Sequence, residues 1–174
     1  MSGRASAALD AQHELCAASS SHDSEEKMSQ SGLDYPRRSL AQFTVGEVRE
    51  RSFRIDEESL LLFIAASGDS HPLHTNTDFA RNRGYRDVLV HGMCISARCS
   101  AFVAEEFVGS HGLLVSMSAD FRLPVFYNES LIWRGEALRV DPVAETVEIK
   151  WAVSKDKNIV VQRGTACAWL GGGR

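Results

Sequence analysis

The chain has little of what marks a protein for export, for a membrane or for nucleic acid. Its four cysteines, Cys16, Cys94, Cys99 and Cys167, form neither a C-x-x-C pair nor a compact disulfide spacing. Free thiols in a reducing compartment are expected. No apolar run nears the roughly 20 residues that cross a bilayer, so no membrane partner is expected. The first residues lack the basic-then-apolar order of a signal peptide and are too acidic for an organelle transit peptide, which makes the cytoplasm the expected location. A surplus of positive charge is also missing. The formal net charge is −4, and all of it falls in residues 1–34, where six acidic residues face Arg4 and Lys27. The remainder is neutral, which argues against nucleic acid as a partner.

What is present reads as one soluble domain with a tail. At 174 residues, with 44% apolar and 24% charged residues, the chain is long enough to bury a sizeable core. Residues 1–38 are rich in Ser and charge, as in "AASSSHDSEEKMSQSG", and hold too little apolar surface to offset their own ordering entropy. We expect a disordered acidic tail there, one domain over 39–170, and a flexible end at 171–174.

The domain alternates between two periodicities. "FTVGEVRERSFRI" suits one or two strands with a turn at Gly46. Asp56 is a good N-cap, followed by Glu57 and Glu58, where the helix dipole favours acids. The run "LLLFIAA" is apolar nearly all round, so a buried helix is expected, stopped at Gly68. "TDFARNRGY" predicts a short helix. "GMCISARCSAFVAEEFVG" predicts the longest one, small-residued and closely packed, ending at Gly109. After Gly112 the period becomes two. "LLVSMSADFRLPV", "SLIWRGEALRV", "ETVEIKWAVS" and "NIVVQRGTACAWL" read as four strands joined by turn compositions. The pattern is an α+β domain, with a helix laid on a curved antiparallel sheet.

Chemistry concentrates in "SGDSHPLHTNTDFA", where Asp69, His71 and His74 surround Pro72. Three readings compete. The H-x-x-H spacing lies on a proline-containing loop rather than on a helix as H-E-x-x-H, which argues against a metal site. Gly-Asp-Ser is ordinary turn chemistry, and Asp69 would then cap backbone N–H groups. A carboxylate and an imidazole this close also suit general acid–base work on one water or one substrate proton. Further on, "VHGM" puts Gly92 at the start of the long helix. Backbone N–H groups there carry the positive end of the dipole and suit a developing oxyanion.

Together, "FIAASGDSHPLHTNTDFA", "VLVHGM" and "SADFRLPVFYNESL" resemble the MaoC-like, R-specific enoyl-CoA hydratases, over about residues 43–170. The resemblance implies a hotdog fold, in which a curved antiparallel sheet wraps a long central helix and two subunits pair edge to edge as a homodimer. It implies reversible hydration of an enoyl thioester on coenzyme A or acyl carrier protein, with no cofactor and no metal. Asp69 and His74 match the catalytic pair, Gly92 the glycine whose N–H binds the thioester oxygen, and Ser100 a supporting serine. His91 and His71 join Ser100 as supporting residues, and Arg81, Arg83 and Arg86 are candidates for the substrate's carrier. A hotdog thioesterase and a non-catalytic acyl-thioester binder are the alternatives. Two positions depart from expectation. His71 replaces the family's Asn, which puts the loop's geometry in question, and Arg98 sits mid-helix, where it needs an acidic partner or an opening to solvent.

Overall fold

Alternation of side chains decides the sheet. The computed structural model describes residues 35–156 and 159–171. After a 3-10 turn at Leu40–Gln42, strand β1 runs over Val48–Phe53, and Gly46 turns the chain into it with φ 87°. Strands β2 (Leu113–Met117), β3 (Asp120–Phe121), β4 (Leu131–Asp141), β5 (Thr146–Lys155) and β6 (Ile159–Trp169) complete an antiparallel sheet in the order β1-β4-β5-β6-β2, with β3 also paired to β6. Leu131, Trp133 and Ala137 on β4 point inward, as do Val147, Ile149, Trp151 and Val153 on β5. That period of two is the strand repeat itself.

The remaining elements are helices α1 (Glu57–Ser67), α2 (Pro72–Thr75), α3 (Thr77–Asn82) and α4 (Gly92–Val103), the last continuing as a π-helical turn over Ala104–Val108. Helix α4 is the spine. Its Cys94, Ile95, Cys99, Phe102 and Val103 enter one core with the inner face of the sheet. Phe102 packs on Trp133 with ring centroids 5.6 Å apart. Close approach needs small residues, and Gly135 shows why: a Cβ there would lie 2.5 Å from Trp133 and 3.0 Å from Phe107. Trp133 and Trp151 are fully buried. Truncating such an aromatic to Ala typically removes about 3–5 kcal/mol. The result is the hotdog architecture, a single long helix gripped by a curved sheet.

The ends of α1 match expectation. Asp56 Oδ1 accepts from Ser59 N–H at 2.8 Å, and Gly68 closes the helix in the left-handed region at φ 73°. Its burial does not match. Only Leu60 is buried in α1, while Leu61 and Leu62 are 60% and 64% exposed. An apolar composition states what a helix could bury, but this helix touches the domain along one narrow line and leaves its other faces open. Two further expectations change in detail. The first long strand divides into β2 and β3, and the long helix widens to a π turn before Gly109 rather than running as one α-helix. In that turn Glu106 is buried and ion-paired with Arg51, with Arg38 at 3.8 Å. Arg98 is exposed and lies over the Phe102 ring at 5.3 Å, so the opening to solvent answers its charge. Of the expected tail, residues 1–34 lie outside the described residues, while Pro36 O accepts from Ser110 N–H and Arg38 donates to Glu105 O.

Candidate active site

The proline loop folds around its own backbone. Asp69 Oδ1 accepts from His71 N–H at 3.2 Å, and His71 Nδ1 accepts from Leu73 N–H at 3.2 Å. His71 is therefore the N-cap of α2, and Pro72 begins that helix at a position where its missing N–H is harmless. A ring nitrogen does here the capping an Asn oxygen would do. The loop geometry that the substitution put in question is thus held.

Helix α2 then delivers His74. Its Nδ1 lies 2.7 Å from the Leu89 carbonyl oxygen, which can only accept, so Nδ1 carries the proton and Nε2 is left as the basic nitrogen. Leu89 is itself fixed, donating to Leu73 O at 2.9 Å, and Val90 N–H donates to Val125 O at 2.8 Å. Burial pushes the His74 imidazole below its ordinary range, and the Leu89 carbonyl opposes that in part. The ring is neutral at pH 7, with its lone pair on Nε2.

His91, the residue before α4, stacks on His74 with ring centroids 3.6 Å apart and planes 25° apart. Its Nε2 donates to the Asp69 carbonyl oxygen at 2.9 Å and lies 3.7 Å from Asp69 Oδ2. This buried ring ties the proline loop to the amino end of α4. Gly92 follows. A Cβ on it would come within 2.5 Å of Phe121 Cδ1 and 2.6 Å of Cε1, so the Phe121 ring lies across the place a side chain would take. The first N–H groups of a helix have no partner within the helix. At Gly92 they border a cleft of about 390 Å³ whose walls include Asp69, His74, Phe121, Val125 and Gln162.

The structure thus brings Asp69, His74, His91 and Gly92 together. It does not bring Ser100 with them: half-buried and two helical turns beyond Gly92, that serine does not line the cleft. Ser96, one turn in, is buried at that position and donates to Gly92 O at 3.2 Å. Arg81, Arg83 and Arg86 do not line the cleft either. Arg86 pairs with Glu129 at 2.7 Å and covers Phe126, Arg83 lies over Phe79, and Arg81 Nε reaches Arg86 O at 3.5 Å. They brace the turn after α3. Arg122, in the segment after β3, is the guanidinium that does line the cleft.

Donor atoms of Asp69, His74 and His91 lie within 4.8 Å of one another, a separation that would admit a cation. His74 Nδ1 and His91 Nε2 are committed to carbonyls, which leaves one nitrogen of each ring, and the two rings are stacked face to face. With its proton on Nδ1, His74 offers Nε2 beside the Asp69 carboxylate, an arrangement that suits proton transfer. Gln162 is the residue the sequence reading missed. It falls in phase with the buried Ala166 and Ala168 of β6, so alternation marks its facing, and only its polarity argues for solvent.

The class is a hotdog domain in which a carboxylate and an imidazole lie in one cleft with the amino end of the central helix, a set of groups whose chemistry suits proton transfer beside an oxyanion. The chain belongs to the MaoC-like domain family, which matches residues 41–158. It is similar to the mitochondrial 3-hydroxyacyl-acyl-carrier-protein dehydratase of Arabidopsis thaliana, 29% identical over 129 residues, covering 72% of this chain and 76% of that one. It is 31% identical over 103 residues to the (R)-specific enoyl-CoA hydratase of Aeromonas caviae, covering 58% of this chain and 77% of that protein. Among solved structures, the R-hydratase of Pseudomonas aeruginosa superposes with a TM-score of 0.71 at 27% identity, over 78% of this chain and 86% of that one. Among the described residues no helix is long and apolar enough to cross a membrane.

Proposed function

We propose that the protein interconverts an α,β-enoyl thioester and the corresponding 3-hydroxyacyl thioester by adding or removing water. The observation that carries this is the His74 tautomer. The Leu89 carbonyl holds the proton on Nδ1 and leaves a basic Nε2 at the cleft, beside the Asp69 carboxylate and the amino end of α4. In the hydration direction, Nε2 takes a proton from a water held between Asp69 and His74, and the hydroxide adds at C3. The double-bond electrons move onto the thioester oxygen, where the Gly92 N–H stabilises the enolate. C2 then takes a proton back from the pair, and the product leaves. Dehydration is the reverse sequence. An oxyanion donor of this kind is worth about 3–4 kcal/mol of barrier, and a placed acid or base about 10²–10⁴-fold in rate.

The relatives' names divide between acyl carrier protein and coenzyme A, so the test uses both carriers. A panel of short enoyl thioesters on each is followed for loss of the conjugated double bond and for release of thiol. Loss without thiol release supports the hydratase. Thiol release would instead support a hotdog thioesterase, and binding without either would support a non-catalytic subunit. We further read the protein as a homodimer. Strand β2 is a sheet edge, and Leu113 and Val115 on it are exposed. An apolar open edge is a template for pairing with another chain. Among the described residues the thiols Cys94, Cys99 and Cys167 are unpaired, which supports a reducing compartment, and we propose the cytoplasm.

A further inference from the structure

Gln162 lies on β6, opposite Val153 of β5 and opposite Phe121 of β3, whose ring covers Gly92. It is 1% exposed, yet it takes part in the cleft wall. Its Nε2 reaches the Gly92 carbonyl oxygen at 3.3 Å and also contacts Ser96 Oγ. Because that carbonyl can only accept, the amide orientation is fixed: the NH₂ group faces α4 and Oε1 faces away. Ser96 Oγ then accepts from Gln162 and donates to Gly92 O at 3.2 Å. Two side chains thus converge on one carbonyl and tie the first turn of α4 to the sheet.

The tie leaves Oε1 buried and without a partner. A buried acceptor with no donor is a desolvation penalty that an apolar side chain of the same shape would not carry. Methionine at this position would remove the orphan and create none, since Gly92 O keeps its bond from Ser96. Stability therefore does not explain the glutamine.

We propose that Gln162 is a positioning residue for the hydration reaction: by holding the Gly92 carbonyl it sets the angle of the first turn of α4, and with it the aim of the Gly92 N–H at the thioester oxygen. The inference rests on the function proposed above. An oxyanion donor is effective only at hydrogen-bond distance from the oxygen as charge develops on it. Displacement of such a group by about 1 Å lowers turnover by about a hundredfold.

The test is Gln162→Met in the full-length protein, beside wild type. The expected result is a kcat lower by about tenfold to a hundredfold, a KM changed far less, and a thermal midpoint equal to or above wild type. The carbonyl stretch of a bound saturated acyl-CoA, shifted to lower frequency in wild type, moves back toward its free value. Gln162→Glu, whose carboxyl when protonated can again donate to Gly92 O, recovers part of the loss. A Gln162→Met enzyme with wild-type kcat overturns the inference while the hydratase reading stands. So does one whose kcat falls only together with its thermal midpoint, which would make Gln162 a structural strut. A wild-type protein that hydrates no enoyl thioester removes the function and this inference together.

Discussion

Replacing Gly92 with alanine tests the site at its tightest point. The new Cβ would stand 2.5 and 2.6 Å from two ring carbons of Phe121, where carbon atoms prefer about 3.5–4.0 Å. Something must retreat by about 1 Å, and the two candidates are the Phe121 ring and the first turn of α4. The ring sits on the two-residue strand β3 and is 57% exposed, so it can swing. The turn is held by Ser96 and Gln162. Fold stability should change little. Overpacking is unfavourable by about 1–3 kcal/mol, and alanine regains about 1 kcal/mol of helix propensity over glycine. Turnover should fall by the share of that 1 Å the turn absorbs, up to about a hundredfold if the donor takes all of it and much less if the ring swings aside. The assay is kcat on crotonyl-CoA for wild type, Gly92→Ala, Phe121→Ala and the double variant. With the ring gone the added methyl has room, so Gly92→Ala should lower kcat much less in the Phe121→Ala background. An equal loss in both backgrounds would refute the contact as the reason for glycine, and a Gly92→Ala enzyme within threefold of wild type would mean that the ring alone gives way and the donor stays in place.

Asp69→Asn should lower turnover by about 10²–10⁴-fold while leaving the thermal midpoint unchanged, since an amide oxygen can still accept from His71 N–H; undiminished hydration would remove Asp69 from the chemistry. The acid limb of kcat/KM should have its midpoint below 6.5, the ordinary histidine value, because burial disfavours the His74 imidazolium. Activity is then full above that lowered value and lost as the pH falls through it, and a limb centred above 6.5 would contradict the neutral tautomer. His71→Ala should destabilise by about 1 kcal/mol through loss of the α2 cap, with His71→Asn close to wild type in chemical denaturation. Glu106→Ala, which leaves the partly exposed Arg38 and Arg51 facing the emptied π turn, should destabilise by about 1–3 kcal/mol; no measurable change would mean that solvent already satisfies both arginines.

What could be read from sequence was what depends on local rules. Strands β4 to β6 follow strict alternation, Asp56 and Gly68 are caps of ordinary chemistry, and the Asp–Pro–His loop with the distant His-Gly-Met carries a recognisable pattern. What could not be read depends on which surface meets which. Helix α1 is apolar nearly all round, yet the domain covers only one side of it. Ser96 and Ser100 share a helix face, and only the distance from the amino end separates the buried one, bonded to Gly92 O, from the one a turn beyond it. The three arginines looked like a carrier site because their charges lie close in sequence, but Glu129 and Phe126 engage Arg86 from elsewhere in the chain, and Phe79 of α3 takes Arg83. Gln162 was hidden for a different reason. It shares a face with the buried Ala166 and Ala168, but a lone polar residue in a strand reads as outward-facing on polarity alone.

The register is broken there. Val153 pairs with Gln162 while Ser154 pairs with Val160, so Val161 is an extra residue and both Val161 and Gln162 turn inward. One inserted residue reverses the facing of everything on one side of it. Losing Val161 would make Val160 and Gln162 direct neighbours, which alternation already sets on opposite faces, so Gln162 would stay inward and Val160 outward. What would vanish is the second inward side chain, the valine that lines the cleft beside the glutamine. The bulge thus gives this wall one more side chain than a regular strand of the same span could supply.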